Sequence, residues 1–396
     1  MNYNKDIGSP LPAKDDLLLL KAILMPYDNA IKAWEEWLEV VDIDTLEAGT
    51  QRLFPLLYVK LKSYNISHPL MNKFKGIYRQ TWYKNQIIFH NAVPVLEKLK
   101  EENIDCIVLK GAALTVLYYH DMGLRHMSDF DIMVPWDDVE KTMHILKVCG
   151  YETKEKHFIT YDEKKLYFWH SIDFKHKTNK HEIDLHWHML IENCGMHDDD
   201  SLWKNKQIIQ IENFPVYTLD ATDHLMHVCV HGLKYNTLTP IRWVADAAII
   251  IEHNEINWDR LLEEIKRRNI VLPILKSFTY LHNELKIDIP EKVLQTLSNT
   301  KINKVEYIGA SIYEAKKKKN PSIKDVLHWY RYMYIRYINA MPNNRFLYLS
   351  PTLLANFLQY HWRLSSSRQV PTEIIKRGWN STKRHISNTF KQDSKI

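Results

Sequence analysis

The spacing of apolar residues divides the chain into three stretches. Before residue 103, apolar side chains recur every three or four positions, which is the period of a helix. Between residues 103 and 220, short runs rich in β-branched and aromatic residues alternate with helical segments. After residue 220 the helical period returns. We therefore predict a helical N-terminal region over 1–102, an α+β core over 103–220 and a helical C-terminal domain over 221–396.

Two acidic residues stand at the start of a strand-like run in the predicted core. Asp129 and Asp131 frame the beginning of FDIMV, and strand side chains two residues apart point to the same face. Carboxylates beside an apolar run are costly to bury unless a cation neutralises them. We expect the pair to bind a cation. The alternative is that Asp129 caps the loop and Asp131 faces solvent.

A third acid lies in a later strand-like run, HEIDLHWHML. In this run Glu182, Asp184, His186 and His188 share one face. If the run lies next to FDIMV in the sheet, Asp184 joins the first two acids. Three converging carboxylates can hold two divalent cations, and Mg²⁺ prefers such oxygen ligands.

The residues before the acidic pair suggest an anion site. Gly111 follows the apolar run IDCIVLK, and glycine lets the backbone approach a phosphate closely. The helix that begins after it directs N–H groups at the anion, and Lys110 adds a positive charge. Arg125 lies four residues before Asp129, where it either balances the acids or binds a triphosphate in bidentate fashion.

Taken together, LKGAAL, GLR followed by SDFDIMV, and EIDLHW resemble the uncharacterised nucleotidyltransferase family of the DNA polymerase β-like nucleotidyltransferase superfamily. The resemblance covers roughly residues 85–255. It implies a polymerase β-like core with a small mixed sheet, flanked by helices. It also implies metal-dependent transfer of a nucleoside monophosphate from an NTP, with ATP as the expected nucleotide and Mg²⁺ or Mn²⁺ as the cation. The acceptor would be a hydroxyl of a small molecule, peptide or protein, and pyrophosphate would leave.

The resemblance also implies roles for individual residues. Asp129 and Asp131 would bind the metal, and Asp184 would complete the metal site or take the proton from the acceptor hydroxyl. The nucleotide would be bound by Lys110, Gly111, Arg125, Ser128, Arg242 and Asp246. Because Arg242 and Asp246 are one helical turn apart, an ordinary ion pair within the helix is the alternative to contact with the substrate.

One feature departs from the wider superfamily. Its usual turn is Gly-Ser or Gly-Gly-Ser, with the acidic pair about a dozen residues later. In this chain Lys110 and Gly111 stand at the turn, and Asp129 follows Gly111 by 18 residues. This departure leaves a second hypothesis open, in which the chain is a catalytically inactive, partner-binding module of the same fold.

Three histidines at helical spacing form a further candidate. His224, His227 and His231 lie at i, i+3 and i+7, on one face of the predicted helix. Three imidazoles on one face could bind zinc. The alternative is a polar stripe of partly buried histidines.

Charge and cysteine content add expectations about partners and location. The net charge is +5, but from Lys301 onward there are 18 Lys and Arg against 5 Asp and Glu. This basic third suggests an anionic partner, such as RNA modified by nucleotide addition, or else a solvated helical surface. The sequence has no apolar run of membrane-spanning length and no signal-peptide core at its start. With four scattered cysteines and no CxxC, it predicts a cytoplasmic protein.

Overall fold

A mixed β-sheet lies at the centre of the computed structural model. The structure describes residues 11–154, 166, 168–191, 193–195, 197–233, 241–317, 323–340, 350–362 and 364–377. The strands are β1 (Ile107–Val108), β2 (Phe130–Met133), β3 (Tyr151–Thr153), β4 (Ser171–His176), β5 (Glu182–His186), β6 (Gln207–Ile211) and β7 (Phe214–Thr218). Their order in the sheet is β3-β4-β5-β2-β1-β7-β6. The pairs β1–β7 and β2–β5 are parallel, and the other pairs are antiparallel.

Helices flank this sheet on both sides in the sequence. Those before it are α1 (Lys14–Leu24), α2 (Tyr27–Val40), α3 (Ala48–Gln51), α4 (Phe54–Ser63) and α5 (Met71–Glu101). Those between strands are α6 (Lys110–Leu114), α7 (Val139–Val148) and α8 (Asp200–Lys204). Those after it are α9 (Ala221–Gly232), α10 (Arg242–His253), α11 (Trp258–Arg268), α12 (Val271–Leu285), α13 (Glu291–Asn299), α14 (Lys304–Lys317), α15 (Ile323–Ala340) and α16 (Pro351–His361), with further helix over 370–377. None of the described helices is long and apolar enough to cross a membrane.

The predicted α+β class and the small mixed sheet with flanking helices are confirmed. Strand β6 was missing from the predicted elements. Its residues alternate as strand residues do, with Ile209 and Ile211 buried and Ile208 largely exposed. Strand β6 lies at the edge of the sheet and pairs only with β7. Its apolar pattern is short and only alternate residues are buried, so the strand does not stand out in the sequence.

The two helical regions share one apolar cluster. Trp37 and Phe54 from the N-terminal helices belong to the same buried cluster as Val244 and Phe278 from α10 and α12. A second cluster, to which Phe89 and Leu146 belong, packs α5 and α7 against the sheet. The division into three domains stays a prediction, but the N-terminal helices clearly pack on the helices that follow the sheet.

A buried ion network fixes the chain directly after β5. Arg268, at the end of α11, donates to Glu264 and to Asp199, each at 3.0 Å. Asp199 also lies 3.0 Å from His188 Nδ1 and accepts the backbone N–H of Met189 at 3.2 Å. The Arg268 side chain is fully buried. The network therefore ties the segment that follows β5 to the C-terminal helices.

We expect Arg268→Ala to lower the free energy of unfolding by about 3–5 kcal/mol, because it leaves buried carboxylates without their cation. Arg267 is a matched control, since it bonds the same Glu264 carboxylate but its side chain is 41% exposed. Arg267→Ala should cost at most about 1 kcal/mol. Urea unfolding of both variants measures the difference, and equal costs would contradict the importance of the buried network.

Candidate functional site

Two of the three predicted acids meet in the sheet. The parallel pairing of β2 with β5 places Asp131 directly opposite Asp184. Asp131 is only 3% exposed, although it stands in a strand whose other residues, Phe130, Ile132 and Met133, form apolar core. The convergence follows from strand alternation once β2 and β5 are neighbours, as the sequence predicted.

A histidine completes the cluster. His186 Nε2 lies 2.8 Å from Asp184 Oδ2 and 3.3 Å from Asp131 Oδ1. One ligand atom from each of the three residues lies within 4.8 Å of the other two. The alternation of β5 had placed His186 on the face of Asp184, but its proximity to Asp131 depends on the strand order. We call Asp131, Asp184 and His186 the acid–imidazole cluster.

Lys110 reaches into this cluster from the turn after β1. Its Nζ is 2.5 Å from Asp131 Oδ1, 3.4 Å from Asp184 Oδ2 and 3.2 Å from His186 Nε2. The Lys110 backbone has a φ of 47°, in the left-handed region that non-glycine residues seldom adopt. The turn thus aims an ammonium group at the carboxylates, where sequence reasoning had expected a contact with phosphate.

The pKa values of the cluster follow from these contacts. Burial alone would raise the pKa of Asp184, but His186 and Lys110 outweigh it and hold the pKa well below its ordinary value. Burial opposes the charged form of Lys110, yet Asp131 and Asp184 raise its pKa. Burial also opposes the charged form of His186, but the neighbouring Asp184 outweighs it and raises the pKa of His186. The resting cluster therefore holds an ionised Asp184 beside the ammonium group of Lys110.

The donor set also fits a divalent cation. Two carboxylates and an imidazole are ligands for Mg²⁺ or Mn²⁺, with the imidazole better suited to the transition metal. The Oδ1 atom of Asp184 is buried and has no hydrogen-bond partner among the residues that the structure describes. Glu182, on the same face of β5, is engaged instead by Lys154 and Lys175. The structure therefore favours Asp184 and His186 as the ligands from this strand.

Asp129 lies beside the acid–imidazole cluster. It is half-buried, directly before β2, and accepts a hydrogen bond from the exposed Ser128 at 3.2 Å. Burial and the nearby Asp131 raise the pKa of Asp129 to about 6. It is not one of the three residues that come within joint ligand distance. The assignment of Asp129 to the metal stays a prediction.

Arg125 is engaged by a residue far away in the sequence. It is buried and donates to Asp246 of α10 through Nε at 2.8 Å and Nη2 at 2.9 Å. Tyr119 donates to the same carboxylate at 2.6 Å. Burial raises the pKa of Asp246, but Arg125 outweighs it and the pKa is lowered. The structure pairs Arg125 with Asp246, a partner that the sequence did not suggest, and its predicted contact with a triphosphate stays a prediction.

Gly111 makes room for this arginine. A Cβ atom on Gly111 would stand 2.9 Å from Arg125 Nη1 and 3.0 Å from Met127 Cγ. A side chain at position 111 would therefore press on the buried Arg125–Asp246 pair. Close packing against Arg125 gives one reason for glycine here, in addition to the predicted approach of a phosphate.

Many of these groups border one cavity of about 330 Å³, which Asp131 lines but Asp184 and His186 do not. The predicted residues that line it are Lys110, Gly111, Arg125, Ser128, Asp129, Asp131, Arg242 and Asp246. Arg242 donates through Nη1 to the backbone oxygen of His126 at 2.5 Å, while Asp246 is held by Arg125 and Tyr119. The two therefore face the cavity instead of forming the simple helix ion pair.

The three histidines of α9 also line the cavity. His224 lies 3.1 Å from Thr218 Oγ1, and burial lowers its pKa to about 3. The rings of His227 and His231 pack edge to face at 5.9 Å. In the described part of the chain, the acid–imidazole cluster is the one metal-competent group, and these three do not form another. The structure favours the polar stripe over a zinc site.

One cavity residue was missed by sequence reasoning. Arg52, directly after α3, lines the cavity together with Gly49. Nothing in the surrounding EAGTQRLFP distinguishes this arginine from an ordinary helix-terminal residue. Only the packing of the N-terminal helices against α10 could have placed it here.

The chain is similar to proteins described as nucleotidyltransferases or as nucleotidyltransferase-like. The family described as uncharacterised nucleotidyltransferase matches residues 41–285. The lincomycin-bound lincosamide antibiotic adenylyltransferase LnuA has 12% identity and a TM-score of 0.29, with 41% of this chain and 94% of that chain covered. An antigenic nucleotidyltransferase-like protein from Paracoccidioides brasiliensis has 15% identity and a TM-score of 0.34, with 53% and 95% covered. No curated protein matches the chain.

Removing the ammonium group of Lys110 should make the stability of the protein depend on bound metal. We expect Lys110→Met to lower the free energy of unfolding by about 3 kcal/mol in EDTA, because two buried carboxylates lose their ammonium partner. Added Mn²⁺ should stabilise this variant more than the wild type. Lys206→Met is a matched control, since the Lys206 side chain is 20% exposed against 21% for Lys110 but pairs with the half-exposed Asp105. Calorimetry with and without Mn²⁺ tests this, and equal metal effects in all three proteins would contradict it.

The buried His224 should make stability fall in acid. Because its folded pKa of about 3 lies below the ordinary value of 6.5, the unfolded chain binds a proton that the folded chain does not. The contribution of neutral His224 to the free energy of unfolding is complete above pH 6.5 and is lost as the pH falls toward 3. Between pH 6.5 and 5 the loss should be roughly 2 kcal/mol, and His224→Gln should remove it. Urea midpoints at several pH values measure this slope, and an unchanged slope in the variant would refute the assignment.

Proposed function

The chain belongs to the uncharacterised nucleotidyltransferase family, and we propose that it transfers a nucleoside monophosphate from an NTP, with ATP the expected one, to a hydroxyl group. The hydroxyl belongs to a small molecule or to a peptide or protein, and pyrophosphate leaves. The observation that carries the proposal is the in-register pair of Asp131 and Asp184, joined by His186, beside a cavity lined with arginines.

Asp131, Asp184 and His186 would hold a divalent cation. Bound there, the cation would neutralise phosphate charge and withdraw electron density from the phosphorus. Lys110 neutralises the same carboxylates in the resting site and would turn to the phosphates when the nucleotide binds. This change would keep the ammonium group beside negative charge, in accord with the predicted role of Lys110 in nucleotide binding.

The reaction exchanges one phosphorus–oxygen bond for another. A bond forms between the acceptor hydroxyl oxygen and the α-phosphorus, and the bond from that phosphorus to the pyrophosphate oxygen breaks. Gly111, Ser128 and Arg242 face the cavity in which the nucleotide would lie. The Arg125–Asp246 pair positions the turn around Gly111. Positioning and charge neutralisation supply most of the rate enhancement in such transfers.

The hydroxyl proton requires an acceptor group. Asp184 suits this role poorly, because its lowered pKa makes it a weak base. The pKa of Asp129, about 6, suits proton transfer near neutral pH. Asp129 also lines the cavity and lies outside the group of ligand atoms formed by Asp131, Asp184 and His186. We therefore assign Asp184 to cation binding and Asp129 to proton transfer, while the sequence-based alternative makes Asp129 a metal ligand.

Transfer itself can be measured with the purified protein. Each of the four NTPs, labelled at the α-phosphate, is incubated with Mg²⁺ or Mn²⁺ and with hydroxyl-bearing acceptors, including the protein itself, while pyrophosphate release is followed. We expect cation-dependent label transfer that is abolished in Asp131→Asn and Asp184→Asn. A folded protein that binds no NTP with either cation would instead favour the inactive partner-binding module. Label transfer to RNA, with binding that weakens as salt rises, would favour the RNA-modifying alternative.

Asp129→Asn separates the two roles of that residue. As the proton acceptor, Asp129 must be ionised, so the wild-type rate should rise with pH through about 6. The variant should lose about 100-fold or more in rate, together with this limb of the pH profile, and keep its Mn²⁺ affinity. Mn²⁺ binding is measured by calorimetry alongside the rate. A tenfold loss of Mn²⁺ affinity would show that Asp129 is a ligand, as the sequence predicted.

A further inference from the structure

The cavity lining holds four cationic side chains, Lys110, Arg125, Arg52 and Arg242, against three carboxylates, Asp129, Asp131 and Asp246. Lys110 is paired with Asp131 and Asp184, and Arg125 is paired with Asp246. The two remaining cationic residues of the lining are Arg52 and Arg242. Within the described ranges, neither has a carboxylate oxygen inside the 4.0 Å of an ion pair.

Arg52 and Arg242 line the same cavity and are close enough for their positive charges to interact. Burial and the like charge of Arg125 lower the pKa of Arg242 to about 10, and Arg52 contributes to this shift. Burial, Arg242 and Arg52 also lower the pKa of His126 to about 4, so the imidazole is neutral near pH 7. Like charges held together beside a cavity lower the free energy of an anion that enters it.

Arg52 is held firmly in position for such a contact. The preceding Thr50 donates to the buried Asp16 of α1 at 3.0 Å, and the following Leu53 and Phe54 are fully buried. The Arg52 side chain itself has no ion pair that the fold requires, among the described residues. It is therefore a side chain on a rigid support, directed at the cavity from the N-terminal region.

We propose that Arg52 and Arg242 form a binding site for a polyphosphate anion. This inference rests on the proposed function: the ligand is the β- and γ-phosphates of the NTP, or an inorganic polyphosphate of the same chemistry. Two guanidinium groups match an anion with several negative charges and many acceptor oxygens, since each can form paired hydrogen bonds with phosphate. The same cavity reaches Lys110 and Asp131, where the α-phosphate would meet the cation.

The site would give the N-terminal helical region a part in substrate binding. Arg52 follows α3, while Arg242 begins α10, and the residues between them include the whole sheet. An anion that contacts both arginines would connect the two helical regions across the cavity. The predicted domains of 1–102 and 221–396 would then both contact the nucleotide.

The test uses the full-length protein and inorganic triphosphate in EDTA, so that neither metal nor transfer is involved. Calorimetry should show binding by the wild type and a loss of about tenfold or more in Arg52→Ala and in Arg242→Ala. Arg331→Ala is the control, because Arg331 is exposed on the basic C-terminal third and does not line the cavity. It should bind as the wild type does. Losses within twofold for both cavity variants, or an equal loss in the control, would overturn the proposal.

Two further arms define the ligand and guard against misfolding. ATP should show the same loss on Arg52→Ala as inorganic triphosphate, whereas AMP should show little, and an equal loss for AMP would overturn the assignment to the terminal phosphates. If Arg52→Ala weakens ATP binding but the wild type does not bind inorganic triphosphate, the ligand of the site is the nucleotide and not free polyphosphate. Arg52→Lys keeps the charge but not the paired hydrogen bonds and should lose about threefold or more. Binding of triphosphate without any transfer activity would retain this site and reject the proposed function.

Discussion

The parallel pairing of β2 with β5 is the constraint on which the site depends. It sets Asp131 opposite Asp184 inside the protein, where two like charges are unfavourable unless a cation lies between them. The fold answers this with Lys110, whose left-handed backbone conformation brings the ammonium group to both carboxylates. His186 fills the third side. The short strands at the middle of the sheet therefore enclose two carboxylates whose negative charge is compensated by Lys110.

Other buried charges hold the walls of the cavity in the same way. The Arg125–Asp246 pair joins the loop before β2 to α10, and the Arg268 network joins the segment after β5 to α11. Each connects the sheet with the C-terminal helices. Since buried ion pairs of this kind add little net stability, their value lies in fixing which elements meet.

The sequence predicted the features that follow from the regular spacing of apolar and polar residues along a strand or a helix. Strand alternation placed Asp184 and His186 on one face, and helical spacing marked the flanking regions. The alignment of Asp131 with Asp184 also required β2 and β5 to be neighbours in register. The sequence could not predict the partner of Arg125 or the position of Arg52, because both depend on the packing of α10 against distant elements. The sequence also did not show that Lys110 contacts Asp131 and Asp184 in the resting structure, because that contact depends on the order of the strands; its predicted contact with phosphate stays a prediction. For the basic C-terminal third, the described helices show apolar packing around Tyr337 and Phe357, and an anionic partner stays a prediction.

The position of Lys110 has a consequence for the order in which substrates bind. A bare divalent cation that approaches the acid–imidazole cluster must compete with an ammonium group already in contact with both carboxylates. A cation that arrives with a triphosphate brings a new anionic partner for the same ammonium group, so the exchange costs much less. Cation and nucleotide would then bind with positive cooperativity, each raising the affinity for the other by the same factor. Such a site would bind its metal more tightly as a nucleotide complex than as a bare ion.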